Sequence, residues 1–338
     1  LKFNDEQLRV AANLRQYYDL WLETRRGLAE LNYSLSWQMK GAVEYLRRRS
    51  GPSDTTMGVR SPETEAIMAK HAADKAMFEA QDEARTPLLF DTCRQYVALR
   101  MGIIASSAAA ILRAADIRGY IGSALMVVGT HAMAAYELEA SARFALGMDA
   151  TEDFDLAWAA FDKKTVLALS SRAPVSLLAL LKSVDGTYTV NTERSFQARN
   201  KDAYEVELLI APSRVGTLPS AIGFSPIPMP EQEWLLHGKP IDQVVCGRDK
   251  TPARIVAPDP RWFALHKLWM SEKPQRNPLK KPKDRNQGLA LLKTIRQFMP
   301  HYPLDDDFRA SLPPDLAPHF DRWMDEHGKH AARPAKPF

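Results

Sequence analysis

Three stretches decide the fold: Val127-Val128-Gly129-Thr130, Thr151-Glu152-Asp153-Phe154-Asp155-Leu156 and Tyr204-Glu205-Val206-Glu207-Leu208. Residues i and i+2 of a β-strand point to one face, so Asp153 and Asp155 project together while Phe154 and Leu156 pack behind them. Spacing alone proves little, because Glu63/Glu65, Glu137/Glu139, Glu231/Glu233 and Asp305/Asp307 share it. Context separates the Asp153/Asp155 pair from these. The alternation around it is apolar; an apolar strand over 125–128 ends in Gly129-Thr130 and leads into a helix over 131–142; and an acidic, β-prone strand follows over 204–210. On that last strand Tyr204, Val206 and Leu208 share one face, and Glu205, Glu207 and Leu209 share the other.

Paired carboxylates bind hard divalent cations through oxygen, and Glu207 on a neighbouring strand supplies a third. The expected ion is Mg²⁺, with Mn²⁺ as a substitute. Gly129-Thr130, between a strand and a helix, can present N–H groups and a hydroxyl to phosphate oxygens. Together the parts suit in-line displacement at a nucleotide α-phosphate, with metal neutralising charge and one carboxylate helping to deprotonate an acceptor hydroxyl.

Working outward, the chain has 338 residues, 45% of them hydrophobic and 25% charged. Length predicts about two domains, or one core with large additions, and the composition excludes a disordered chain, a fibre and a disulfide scaffold. The apolar stretches 101–112 and 120–128 fall short of the roughly 20 residues that cross a bilayer. The polar start and a cysteine pair too sparse for a framework, Cys93 and Cys246, predict a cytoplasmic protein with no signal segment and no membrane partner. Residues 1–115 read as mainly helical: a helix over 4–31 capped by Asn4 with Gln7, a hairpin of strands 34–40 and 43–49, a loop at 50–53, a helix from Pro62 to about Ala84, an interruption at Pro87 and a helix over 88–115. Residues 116–258 read as a small α/β core, with a helix from Thr165 to Lys182 broken near Pro174 and further strands at 154–158, 187–191, 195–198, 243–246 and 253–256. Residues 259–338 read as a basic helical region with helices over 262–271, 284–299 and 316–327. The fold class is α+β, and the N-terminal helices are candidates for a homodimer contact.

Charge is uneven. Between Arg261 and Arg296 lie ten basic residues and two acidic ones, Glu272 and Asp284, a local balance of +8. Such a block attracts phosphate-bearing ligands and keeps RNA open as a partner, although a charge run is more often a solvated helix face.

These features resemble the nucleotidyltransferase superfamily of DNA polymerase β-like fold: an apolar residue, Gly and a small polar residue, then Asp-apolar-Asp, then a third acid on a later strand. More narrowly, the chain resembles a bacterial family of nucleotidyltransferase-fold proteins over most of residues 33–300. The matching residues are Gly129-Thr130-His131-Ala132 on to Tyr136-Glu137, the segment 151–156, Ser195-Phe196-Gln197-Ala198 and Phe263-Ala264-Leu265-His266-Lys267-Leu268. Trp37, Glu44-Tyr45-Leu46 and Arg60-Ser61-Pro62-Glu63-Thr64-Glu65 match as well. The resemblance implies a small mixed-sheet core and transfer of a nucleoside monophosphate from an NTP to a hydroxyl on a small molecule, a protein or an RNA end. The alternative is a non-catalytic module that binds nucleotide or nucleic acid on the same fold. It implies Asp153, Asp155 and Glu207 as catalytic and metal-binding residues, and Gly129, Thr130, His131, Lys267 and Lys283 as nucleotide-binding ones. Asp284 is read either as part of a Lys-Asp helix start or as that helix's N-cap, and His131 either as a phosphate contact or as a packed histidine. Two departures stand out. The Gly129–Asp153 interval is long, to be absorbed by a turn or loop over 143–150, and the third acid is Glu, with Glu205 the alternative to Glu207.

Overall fold

The structure, a computed structural model, describes residues 1–144, 153–161 and 176–327. The turn expected over 143–150 and the helix expected from Thr165 lie largely outside the described residues, as does the tail 328–338. The described chain forms two compact units, residues 12–94 and residues 1–11 with 95–338.

Helix α1 (Asp5–Glu30) begins as its sequence predicts: Gln7 N–H donates to Asn4 Oδ1 at 2.9 Å and Asn4 N–H to Gln7 Oε1 at 3.0 Å, a reciprocal cap that satisfies two otherwise orphaned donors. Within residues 12–94, strands β1 (Ser34–Lys40), β2 (Val43–Ser50) and β3 (Ser53–Val59) form an antiparallel three-stranded sheet. The third strand has no sequence signature. All its residues but Gly58 are exposed, so its ladder to β2, rather than burial, holds it in place. Helix α2 (Pro62–Ala98) runs straight through Pro87, where the sequence predicts an interruption. Proline removes one hydrogen bond and crowds the preceding turn, but tertiary bonds just upstream hold the helix: Arg85 Nη1 donates to Leu20 O at 2.8 Å and to Thr24 Oγ1 at 2.7 Å, and Arg25 pairs with Asp82 at 3.1 Å.

In the other unit, β4 (Ile103–Ile104) and α3 (Ser106–Ile117) precede β5 (Leu125–Val127), α4 (Ala132–Ala140) and β6 (Asp153–Trp158). Helix α5 (Leu177–Val184), β7 (Thr189–Val190), β8 (Gln197–Arg199) and β9 (Glu205–Ile210) follow, then β10 (Ile241–Gly247) and β11 (Pro252–Ala257). Helices α6 (Pro260–Glu272), α7 (Lys281–Phe298), α8 (Asp306–Ala310) and α9 (Ala317–His327) complete the described chain. A mixed five-stranded sheet runs β5-β6-β9-β8-β7, and a second, three-stranded sheet runs β11-β10-β4. The class is α+β. Phe154, Leu156, Val206, Leu208 and Ile210 are buried behind the first sheet, and each such side chain contributes about 1.5–3 kcal/mol. Helix α4 is apolar nearly all round, Ala132, Met133, Ala135 and Tyr136 included, and is correspondingly buried. Helices α6 and α7 cross closely at Gly288, where a Cβ would lie 2.8 Å from the Ala264 carbonyl oxygen. Cys93 and Cys246 are buried and neither forms a disulfide. Among the described residues no helix is long and apolar enough to cross a membrane.

His266 on α6 is enclosed, and neither ring nitrogen makes a hydrogen bond among the described residues. Trp234 and Trp269 flank it at ring-centroid distances of 6.2 and 6.0 Å. Burial pushes its pKa down to about 3, with Lys267, Lys273 and Arg276 pushing the same way and Asp284 opposing. The folded protein therefore excludes a proton that the unfolded chain accepts below pH ~6.5. Stability from this site is complete above that pH and is lost as pH falls toward the folded value, at about 1.4 kcal/mol per pH unit. Denaturant melts of the wild type and His266→Leu between pH 7 and 4.5 should diverge accordingly, the wild type falling more steeply; parallel curves would show that the ring accepts a proton in place.

Candidate active site

Alternation makes β6 and β9 two-faced, and their pairing makes the faces coincide. The strands run parallel with Asp153 opposite Glu205 and Asp155 opposite Glu207. All four carboxylates thus share one sheet face, as the sequence pattern requires of adjacent strands with their apolar residues on the other. Antiparallel β8 sets Gln197 opposite Glu207, and its amide Nε2 donates to Glu205 Oε2 at 2.9 Å and to Glu207 Oε1 at 3.1 Å. Gln197, 1% exposed, is a site residue that sequence reasoning missed. It lies in the Ser195–Ala198 stretch, but only the register of β8 against β9 reveals that its amide clamps both acids.

Gly129 is placed by β5, which pairs antiparallel with β6 and is followed by a bond from Val128 N–H to Asp155 O at 3.2 Å. A Cβ at position 129 would fall 2.8 Å from Asp155 Cγ. The position demands space and not an unusual backbone, since Gly129 is absent from the positive-φ glycines. The Asp155 carboxyl is driven above the ordinary aspartate range by burial first and by Asp153 second, while Lys267, Lys280 and Arg276 pull it back. Glu207 is pushed up to about 7, by burial, then Asp155, then Asp153, with Lys280 and the Gln197 bond opposing.

Cations flank this face. Lys280 Nζ donates to Asp153 Oδ2 at 2.5 Å, and Arg199 stands 3.8 Å from Glu205. Lys267 is buried and bound to Asp284 at 2.9 Å, and Arg276 grips the other Asp284 oxygen at 2.6 Å. Asp284 is therefore no N-cap: α7 starts at Lys281, and Asp284 lies inside its first turn, 2% exposed, as the shared anion of two cations. Lys283 is half-buried; burial pushes its pKa down, as does Lys267, while Asp153 and Asp284 favour its charge. Lys273 pairs with Glu231 and Arg261 with Asp259, so much of the basic run is neutralised by acids elsewhere in the chain. Thr130 is buried, and Gln287 Nε2 reaches within 3.5 Å of its hydroxyl. His131 is also buried, its ring edge-on to Phe154 at 5.2 Å. Trp262 stacks on His237 and Trp269 meets Trp234 edge-on, both as packing. Trp37 sits in the separate 12–94 unit under Arg60.

Among the described residues no three His, Cys, Asp or Glu side chains stand grouped to hold a metal ion; Lys280 and Gln197 are hydrogen-bonded to the acids instead. The arrangement offers oxygen ligands on a partly desolvated surface, a carboxylate of raised basicity, and cations beside them.

Gly129→Ala should force the Asp155 carboxyl off its seat and cost roughly 1–3 kcal/mol, as overpacking does. Asp155→Ala in the same chain should recover much of that loss in a double-mutant cycle. Additive melting shifts would show that the two residues do not compete for space.

A family model described as Nucleotidyltransferase matches residues 106–313, a span that holds Gly129, both acidic strands, Gln197 and the Lys267–Asp284 pair. No curated protein and no solved structure matches the chain. With the family model covering more than half of its length and the acidic strands and glycine turn inside the match, the chain belongs to the nucleotidyltransferase family.

Proposed function

We propose that this protein is a metal-dependent nucleotidyltransferase that moves a nucleoside monophosphate from an NTP to an acceptor hydroxyl. The observation that carries the reading is the seat of Asp155 against Gly129, with Glu207 opposite it on the adjoining parallel strand. It joins the glycine turn and the acids, distant in sequence, in one site. The donor chemistry suits Mg²⁺ or Mn²⁺: carboxylate oxygens share a face and an ammonium lies on one of them as a stand-in cation, and the acids, which are not grouped around an ion position while Lys280 and Gln197 hold them, would close on the metal when the ammonium leaves. Asp153, Asp155 and Glu207 would hold the ion, which supplies charge neutralisation at the triphosphate.

The chain's own residues do the rest. Gly129 and Thr130 supply N–H groups for phosphate just before α4, the Ala132 and Met133 N–H groups being bonded to the Gly129 and Thr130 carbonyls, and His131 packs behind them to fix the turn. Lys283 and the Lys267–Asp284–Arg276 cluster keep the flank positive. The acceptor oxygen attacks the α-phosphorus, the bond to pyrophosphate breaks, and Glu207, opposite Asp155 on the same sheet face, takes the acceptor's proton. Glu205, one pair further along, is held by the same Gln197 amide.

Incubation with each α-³²P-labelled NTP, Mg²⁺ and cell extract should transfer label to an acceptor fraction. Asp153→Ala and Asp155→Ala should abolish both transfer and Mg²⁺-dependent nucleotide binding with melting temperature unchanged or slightly raised, because each removes a charge from a self-repelling cluster. Glu207→Gln should lower turnover about 100-fold or more while nucleotide binding changes far less, and Glu205→Gln should have the smaller effect. Transfer that survives in Asp155→Ala would overturn the assignment.

A further inference from the structure

Lys280 carries no sequence motif, yet among the described residues it makes the shortest ion pair on the acidic face, 2.5 Å from its Nζ to Asp153 Oδ2. The nearby cations are committed elsewhere: Lys267 and Arg276 to Asp284, Lys273 to Glu231. Lys280 instead stands on a carboxylate that the proposed reaction needs for metal. Its setting leaves it room to move. It lies at the end of the Asn277-Pro278-Leu279-Lys280 turn that leads into α7, its side chain is 45% exposed, and neighbouring Leu279 is 87% exposed. The residue precedes α7 without capping it, so helix start and side-chain position are not tied together.

We propose that Lys280 is a displaceable counter-ion that makes the site select metal-bound nucleotide over free metal: its ammonium occupies Asp153 in the empty site and transfers to a triphosphate oxygen when the metal–NTP complex arrives. This rests on the metal-dependent reading above. A divalent ion arriving alone must evict the ammonium and leave it facing a second positive charge. An ion arriving with a triphosphate brings the anion that the ammonium then pairs with. Lys280 thus opposes the first event and favours the second, and no protonation change is needed.

Two titrations of the intact protein separate these effects: Mn²⁺ alone, followed by the electron paramagnetic resonance of the free ion, and Mn²⁺ with non-hydrolysable α,β-methylene analogues of the four NTPs, followed by calorimetry. Lys280→Met should bind Mn²⁺ alone up to about fivefold more tightly than wild type, and the Mn²⁺–analogue complex up to about fivefold more weakly, taking up to ~1 kcal/mol for a partly exposed pair. Lys280→Arg, which keeps the charge, should stay near wild type for Mn²⁺ alone. Melting curves establish that each variant folds. Weakening of both equilibria in Lys280→Met would make Lys280 a mere positioner of Asp153, and no change in either would make it a surface lysine; each result overturns the proposal while leaving the metal-dependent reading standing. Wild type and Asp155→Ala binding Mn²⁺ and analogue alike, or not at all, would bring down the metal-dependent reading itself and this proposal with it.

Discussion

At position 129 there is space for a hydrogen atom and little more, because the Asp155 carboxyl lies against the glycine's α-carbon. That steric limit ties three pieces of chain together. The turn after β5 must approach β6 closely, helix α4 must start immediately beyond it, and Asp155 must present its oxygens at the mouth of that turn. The same contact desolvates Asp155, which raises its affinity for a proton or any other cation. Chemistry and packing are therefore set by one approach of backbone to side chain.

Concentrating Asp153, Asp155, Glu205 and Glu207 on one sheet face is electrostatically unfavourable, and the fold offsets it in ways that leave the acids usable. Gln197 donates one amide proton to each glutamate without neutralising either. Lys267 and Arg276 act on Asp155 through space while their hydrogen bonds go to Asp284. Lys280 alone among these touches an aspartate of the face, and it does so from a partly exposed turn. Fixed charges stand back and a movable one stands close, an arrangement suited to a site whose charge must change when ligand binds.

The basic run between Arg261 and Arg296 shows how a one-dimensional charge count misleads. Read along the chain it is a phosphate-attracting block of +8. Folded, Arg261, Lys267, Lys273, Arg276 and Lys280 each meet an acid, and of those acids only Asp284 belongs to the block itself. Half of the run's cations thus serve in pairs within the fold, while Arg296 turns to the last helix, over Trp323.

The α+β class, the two acid-bearing strands, their apolar backs and the Asn4 cap were legible in sequence, because period-two alternation and capping are local and depend on residues a few positions apart. Asp153 and Asp155 sharing a face required nothing beyond the geometry of a single strand. That Glu207 would join Asp155 from a neighbouring strand followed from alternation; the parallel sense and register of the pairing were not legible, since hydrogen bonds between strands some fifty positions apart decide them. For the same reason Gln197 and Lys280 passed unmarked: each acts on acids supplied by other elements, and no spacing encodes that. Local rules also failed where tertiary contacts outweighed them, as when α2 continued through Pro87 with Arg85 and Asp82 anchoring it, and when the exposed strand β3 formed on the ladder of β2. The sequence by itself determined which residues are acidic, which faces are apolar and where a glycine interrupts; only the tertiary structure decided which of them meet, because short-range propensity carries no information about the long-range pairings that bring Gly129, Asp155, Glu207 and Lys280 together.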